Sequence, residues 1–550
     1  MRPGQVVLPK PLIGRPLVRK VGGYLLLVCV IAGTSAGATA GDKRPNIVFA
    51  FGDDFGRFAS VYRDDERYQA FNSLIETPNI DRIAREGVRH RHAYVPCPSC
   101  TPCRSSILTG RYFWNTRLGA ILSGAVLDES MPTFTKALEN DGYRFGYTRK
   151  VWNPGNRLGD AFGQLDSRFD KAGWTFSKFS NTALSRVDQG GAVEDIKAEI
   201  LTEVGGNFEM FLETREGNQP FFYWWGPTVT HRQWAQGSGK RLWGLEPDDL
   251  AGKMPPYWPD VPEVREDVVD YLGECLAFDR GVGELIRVLE ERGELDDTLF
   301  VVSGDHGIPG FPRAKCNLYD IGVEVALAAR LPGRIGAGRV VDDMTTLKDL
   351  AMTFLDAAGV EGRDGLEGNS LWDIWTSDRS GLVEPDRTFV VTGRERHVDT
   401  ARDGNLPYPQ RAIRTADFLY IRNFEPDRWP MGSPPRYRDH DGGPTKKWIE
   451  DNLDDSDVIY RLAFSKRPAE ELYDLDADPH QMRNVAEDGD YAPVKDRLRE
   501  QLMTILREEN DPRVLDGECR FEFPPYTDAV DKTRSRSEWE AWARQRLDES

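Results

Sequence analysis

Two short apolar runs, each stopped by glycine and followed at once by carboxylates, constrain this 550-residue chain more than any other feature. The first is RPNIVFAFGDDFG, in which Ile47 to Phe51 reads as a buried strand and Gly52 precedes Asp53 and Asp54. The second is DDTLFVVSGDHG, in which Thr298 to Val302 reads as a strand and Gly304 precedes Asp305 and His306. Between them, residues 265–292 place Val268, Leu272, Leu276, Val282, Leu285, Ile286 and Leu289 at near-helical spacing, with Gly293 as a stop. Strand, acidic turn, long helices, strand and acidic turn is the rhythm of a doubly wound α/β sheet, where ligands bind beyond the carboxyl ends of the strands. The spacing predicts that both acidic turns meet at neighbouring strand ends. Adjacent carboxylates there need a cation to offset their repulsion, and carboxylate oxygens suit calcium or magnesium.

Length predicts two domains. The formal net charge of -18 excludes a nucleic-acid or anionic-membrane surface as the natural partner, so a site for an anion must be locally basic. At the N-terminus, Arg15, Arg19 and Lys20 precede the apolar run YLLLVCVIAG and then Ala38-Thr39-Ala40, the order of a secretory signal. Residues 1–40 are therefore expected to be removed with Cys29, leaving six cysteines in an exported, periplasmic or secreted protein. No later run approaches about 20 apolar residues, so stable membrane insertion is not expected. From about Leu371 the texture changes to short apolar runs such as RTFVVTG between Pro- and Gly-rich loops. This predicts a catalytic domain over 41–375 and a smaller α+β domain with an antiparallel sheet over 376–550. Near the end, KTRSRSEWEAWARQRL reads as a surface helix.

VPCPSCTPCRSSILTGRY spaces Cys97, Cys100 and Cys103 three apart, as for a cluster, zinc, disulfides or one reactive cysteine. From Arg104, RSSILTGR reads as the first turns of a helix, so Cys100 to Cys103 lie where free N–H groups and the helix dipole favour an anion. C-x-P-x-R followed by x-x-x-L-T-G-R is similar to the signature of the formylglycine-dependent (type I) sulfatases of the alkaline phosphatase superfamily. Only Cys100 has proline, Pro102, two residues on and arginine, Arg104, four residues on. RPNIVFAFGDDFG, LFVVSGDHG and ELYDLDADPHQMRNVAED resemble other segments of that family. GDHGIPGFPRAKCNLYD and the stretch from Gly393 to Pro430 resemble its heparan N-sulfatase branch more than the simple arylsulfatases.

The resemblance implies an alkaline phosphatase-like α/β/α sandwich with a smaller C-terminal subdomain. It implies that a formylglycine-generating maturation enzyme oxidises Cys100 to 3-oxoalanine, whose hydrate attacks sulfur and whose second hydroxyl then expels sulfate. Cys97 and Cys103 become structural thiols or disulfide partners. Asp53, Asp54, Asp305 and His306 match the metal ligands, His306 standing where Asn or His is usual, and modified Cys100 faces the metal, expected to be Ca2+ with room for another divalent ion. Arg104 matches the arginine on the hydrate, Lys150 and Lys315 the lysines on the sulfate, and His231 the donor to the leaving group. Two positions depart from the pattern: Trp152 and Asn153 stand where a histidine usually follows the Lys150 position, and Thr228 stands where the first histidine of the His231 segment often sits. The expected substrate is a sulfated carbohydrate cleaved at O- or N-sulfate. Arg394, Glu395, Arg396, His397 and Arg411 are candidates for reading it, or else form ion pairs that tie the two domains together. An arylsulfatase, a phosphomonoester or phosphonate hydrolase of the same superfamily, and an inactive sugar-binding homologue are the alternatives. The intact Cys100, Pro102 and Arg104 speak against the last.

Overall fold

In the computed structural model, strand β1 (Asn46–Gly52) is buried along its whole length, and its alternating side chains divide the interior in two. Ile47, Phe49 and Phe51 enter one apolar cluster, while Val48 and Ala50 enter another on the opposite face. A strand apolar on both faces is what a sheet covered by helices on both sides requires. The structure describes residues 44–522 except 128, 165 and 518, together with 537, 538, 541, 542, 544 and 545. The expected signal segment therefore lies outside the described residues. So does most of the expected C-terminal helix, although its described residues are helical.

The central sheet also contains β2 (Val88–His90), β3 (Arg144–Arg149), β4 (Phe221–Gly226), β5 (Thr298–Gly304), β6 (Leu327–Arg330) and β7 (Arg339–Val341). Their order is β7-β2-β6-β5-β1-β4-β3. All run parallel except β6, which is antiparallel to both neighbours. The two acidic-turn strands are neighbours in register, Asn46 opposite Thr298 and Gly52 opposite Gly304, so their turns emerge side by side.

Helix α1 (Pro78–Arg85), α3 (Val193–Leu212) and the 30-residue α4 (Pro262–Glu291) cover the face of Val48. Helix α2 (Cys100–Thr109) and α5 (Leu350–Ala358) cover the other. All ten residues of α2 are buried, so it threads the interior instead of lying on the surface. It ends at Gly110, whose φ of 72° closes the helix in the left-handed conformation.

A second, four-stranded antiparallel sheet contains β8 (Phe389–Arg394), β9 (Gln410–Thr415), β10 (Phe418–Asn423) and β11 (Glu470–Asp474), in that order. Its strand β8 is fastened to the cysteine-rich loop, because Gly393 N–H and Thr392 Oγ1 both donate to the carbonyl of Pro96. Helix α6 (Ala492–Glu508) packs on this sheet. Among the described residues no helix is long and apolar enough to cross a membrane.

Candidate active site

Three strands of the central sheet, β1, β4 and β5, end in glycine because the chain crowds back on itself there. A Cβ at Gly304 would lie 1.9 Å from the carbonyl oxygen of Phe55, and one at Gly226 would lie 2.1 Å from that of Lys150. Beyond β1, Asp54 takes a φ of 62°, a left-handed conformation that aspartate tolerates better than most residues. Its N–H donates to Asp305 Oδ1 at 2.8 Å, and its carbonyl accepts from Tyr271 Oη at 2.9 Å. Thr230 Oγ1 donates to the carbonyl of Asp53 at 2.6 Å. The two acidic turns are thus locked to each other and to the β4 loop.

Helix α2 begins four residues before the point that sequence periodicity suggests, with Cys100 as its first residue and extended Ser99 as its cap. This directs the Cys100 sulfur at the acidic turns, 3.3 Å from His306 Nε2 and 3.9 Å from Asp54 Oδ1. One turn later, Arg104 donates from Nε to Asp305 Oδ2 at 2.9 Å, from one terminal nitrogen to Asp53 Oδ1 at 3.2 Å, and from the other to the Lys150 carbonyl at 2.8 Å. Lys150 Nζ reaches Asp53 Oδ1 at 2.5 Å, and Lys315 Nζ lies 3.1 and 3.0 Å from the two oxygens of Asp54. Burial alone would raise the Asp53 carboxyl, but Lys150 and Arg104 outweigh it and hold the group well below the carboxylate range. Burial likewise opposes charge on both lysines, yet Asp53 keeps Lys150 raised, and Asp441 and Asp54 keep Lys315 raised. Burial pushes the Cys100 thiol well above its usual value, so the unmodified side chain is a poor nucleophile.

Both histidines are oriented through Nδ1. His306 Nδ1 faces the carbonyl of Gly307 at 3.2 Å, and His231 Nδ1 faces that of Arg232. A carbonyl only accepts, so each Nδ1 carries the proton and Nε2 is left for the site. His306 Nε2 lies 3.3 Å from Asp54 Oδ1 and 3.6 Å from Asp305 Oδ1. His231 Nε2 lies 4.0 Å from Asp54 Oδ2, at the half-buried rim. Possible ligand atoms of Asp54, Cys100 and His306 lie within 4.8 Å of one another, as do those of Asp53, Cys100 and Asp305. Carboxylate oxygens and a neutral imidazole, already bracketed by lysines and arginine, are a donor set that fits a hard divalent cation.

The structure brings nine sequence-predicted residues together: Asp53, Asp54, Cys100, Arg104, Lys150, His231, Asp305, His306 and Lys315. The five proposed substrate readers are all buried, and His397 lies beside the site, against the cap of the Cys100 helix and in the fields of Lys315 and Asp441. Arg394 pairs with Asp439 at 2.7 Å, and Arg411 pairs with Glu395 at 2.8 Å and Asp511 at 2.5 Å. His397 Nδ1 meets Ser99 Oγ at 2.8 Å, and burial lowers its pKa to about 3. Arg396 donates to the carbonyl of Phe521, and burial lowers its pKa to about 10. At the two departures, Trp152 turns away to donate to Ser105 Oγ, and Thr228 N–H donates to Ser177 Oγ, so neither supplies a proton carrier. Cys97, Cys103, Cys275, Cys316 and Cys519 are all free thiols.

Sequence reasoning missed Asp441. It lies 3.2 Å from Lys315 Nζ and keeps its charge because Lys315, His397 and His231 outweigh its burial. Only the acid and histidine cluster in RDHDGG hints at it, in a loop that no periodicity places.

Comparison with known proteins accords with this geometry. The chain is 25% identical over 499 residues to human N-sulphoglucosamine sulphohydrolase, covering 85% of this chain and 91% of that one. It is 24% identical over 500 residues to an ulvan-active sulfatase of Formosa agariphila, covering 84% and 74%. Its fold matches the crystal structure of a phosphonate monoester hydrolase of Agrobacterium radiobacter with a TM-score of 0.58, at 19% identity over 85% of this chain and 96% of that one. The sandwich is thus alkaline phosphatase-like, a fold that hosts more than one chemistry. The Sulfatase family model matches residues 45–360, the span that carries both acidic turns, the Cys100 helix, His231 and both lysines, and so the chain belongs to the sulfatase family.

Proposed function

We propose that this protein hydrolyses an O-sulfate or N-sulfate group of a sulfated carbohydrate, with Cys100 as the nucleophilic position. The observation that carries the reading is the setting of the Cys100 sulfur: at a helix N-terminus, against Asp54 and His306, and in the fields of both Lys150 and Lys315. The two relatives act, by their names, on N-sulphoglucosamine and on ulvan, which supports a sulfated sugar.

Cleavage of a sulfate monoester moves negative charge onto the leaving oxygen, so the site must hold the sulfuryl oxygens and supply a proton. Asp53, Asp54, Asp305 and His306 would hold a divalent cation, proposed as Ca2+, which would polarise the sulfuryl group, while oxidation of Cys100 to formylglycine would supply a hydroxyl nucleophile. Lys150, held on Asp53, and Lys315, held on Asp54, bind the sulfuryl oxygens. Arg104, engaged with two carboxylates and the Lys150 carbonyl, fixes the relative position of the acidic turns and the lysine. His231, its Nδ1 proton tied to a carbonyl, presents Nε2 at the rim and hands its second proton to the departing oxygen or nitrogen.

The test is the mass of the tryptic peptide that contains Cys100, together with turnover of an aryl sulfate and an aryl phosphate. Formylglycine lowers the peptide mass by about 18 Da relative to the cysteine form, because one sulfur and two hydrogens are lost and one oxygen is gained. A native thiol in an enzyme that turns over aryl sulfate would sink the proposed nucleophile, and preference for the aryl phosphate would sink the sulfatase reading.

A further inference from the structure

Trp174 is 49% exposed, and it is the one aromatic among the exposed large apolar side chains of the described residues. The backbone beneath it is pinned. Ala172 N–H donates to Asn207 Oδ1 at 2.9 Å and Asn207 Nδ2 to the carbonyl of Gly173 at 2.8 Å, while Thr175 Oγ1 and the Phe176 N–H both donate to the carboxylate of Glu203. Phe176 anchors the next turn against Trp225, with ring centroids 5.6 Å apart. The fold thus spends two side chains of α3 on holding a segment whose indole it leaves in water. A rigid, exposed aromatic surface is what binding sites use, because little is lost in ordering it.

Two cations lie over the indole ring: the Arg149 guanidinium carbon at 5.4 Å and Lys178 Nζ at 5.2 Å from the ring centroid. Neither forms an ion pair among the described residues, whereas nearby Arg168 pairs with Asp170 at 2.6 Å. Arg149 also connects this patch to the candidate active site. It immediately precedes Lys150 and takes a φ of 65° at the end of β3, and its Nε donates to Ser177 Oγ at 3.1 Å. The same hydroxyl accepts from Thr228 N–H, just beyond Pro227, whose carbonyl binds the Asp53 N–H at 3.2 Å.

We propose that Trp174, with Arg149 and Lys178, is a saccharide-stacking platform beside the active site, taking a sugar unit next to the sulfated one in a polyanionic oligosaccharide. The exposed part of the indole offers apolar area to the C–H face of a pyranose, and the two cations, without an ion pair among the described residues, offer charge-assisted hydrogen bonds to its sulfate or carboxylate groups. In a chain of net charge -18 such a basic patch suits an anionic ligand. The inference deepens the sulfated-carbohydrate reading and rests on it.

The experiment compares wild type, Trp174→Ala, Trp174→Phe and Lys178→Ala. Each is assayed with an aryl sulfate and with heparin- and ulvan-derived hexasaccharides, and binding of the hexasaccharides is measured by calorimetry. The expected result is that Trp174→Ala raises KM and Kd for at least one hexasaccharide by about tenfold more than it raises the aryl sulfate KM, with kcat preserved and Phe restoring most of the loss. Lys178→Ala shifts the same constants in the same direction. Equal effects on both substrate classes, or no effect on either, overturn the platform. If wild type turns over the aryl sulfate but cleaves neither hexasaccharide, the substrate reading fails on its own. Calorimetry then still decides the platform: binding weakened by Trp174→Ala upholds it, and unweakened or absent binding overturns it.

Discussion

Replacing Lys315 by methionine should move two readouts in opposite directions. Its ammonium lies 3.0 Å from Asp54 and 3.2 Å from Asp441, and its side chain is 4% exposed. At 3.0 Å two unit charges interact by roughly 5 kcal/mol at an effective dielectric of about 20, and the lysine's own desolvation offsets much of that. What the substitution leaves behind decides the cost. Asp54 is fully buried, so an unpaired carboxylate there costs about 3–5 kcal/mol in the metal-free protein. Asp441 keeps 31% of its side chain in water, which limits its share to about 1 kcal/mol. Once a divalent cation occupies the acidic turns, Asp54 is compensated again and only the smaller penalty remains. The difference, the Asp54 penalty of about 3–5 kcal/mol, must then reappear as calcium affinity tightened by roughly 150- to 5,000-fold. Turnover should meanwhile fall by about 10²–10³, because one cation on the sulfuryl oxygens is gone. Calcium titration calorimetry, melting with and without chelator, and aryl sulfate kinetics measure all three. Weaker calcium binding, or kcat within a few-fold of wild type, would refute the placement of Lys315 between metal and substrate.

Two further outcomes follow from buried ion pairs. Arg411→Met strands the fully buried Asp511, while Arg513 still holds Glu395 at 2.6 Å, and should cost about 3–5 kcal/mol in chemical denaturation with KM for an aryl sulfate unchanged; a stable variant with raised KM would make Arg411 a substrate reader instead. Burial opposes ionisation of Asp320, but Arg414 and Arg67 lower its pKa from 3.8 to about 2 in the fold. A depressed carboxyl stabilises the fold above its unfolded pKa and stops doing so as pH falls through the folded one. The stability gap between wild type and Asp320→Asn should therefore shrink by about 2 kcal/mol between pH 4 and pH 2, and a gap that is flat or widens there would contradict the pairing.

How much of this was legible in the sequence depended on range. The strands flanking Asp53 and Asp305 could be read because apolar runs, glycine stops and adjacent acids are local signals, and a doubly wound sheet makes neighbours of the strands that carry them. The helix of Cys100 was legible in kind but not in start, since its first turn holds prolines and cysteines and no apolar period. The antiparallel β6 was not legible, because a four-residue buried run carries no sign of its direction. Arg411 looks like an available cation in sequence because Asp511, which engages it, lies 100 residues downstream. Asp441 and Trp174 sit in loops, where position is set by tertiary contacts alone.

The charge count around Cys100 separates sulfate from phosphate more sharply than the fold can. Asp53, Asp54, Asp305 and Asp441 face Lys150, Lys315 and Arg104, so these seven groups, counted apart from the proton that His231 hands to the leaving group, hold one net negative charge. A bound divalent cation turns this into one net positive charge. A sulfate ester is a monoanion and brings the total to zero; a phosphate monoester dianion would leave a buried negative charge that nothing offsets. The second ionisation of a phosphate monoester falls near pH 6, so its monoanion is the form that fits. An aryl phosphate should therefore inhibit competitively with a Ki that rises by about tenfold from pH 5 to pH 7, as the monoanion fraction falls by about that factor. The KM of an aryl sulfate, measured in parallel, removes any contribution from the enzyme's own groups, because the same site takes both ligands. A Ki that stays flat or falls over that range, with KM constant, would mean the site is balanced for a dianion, and the phosphate ester would replace the sulfate ester as its natural substrate.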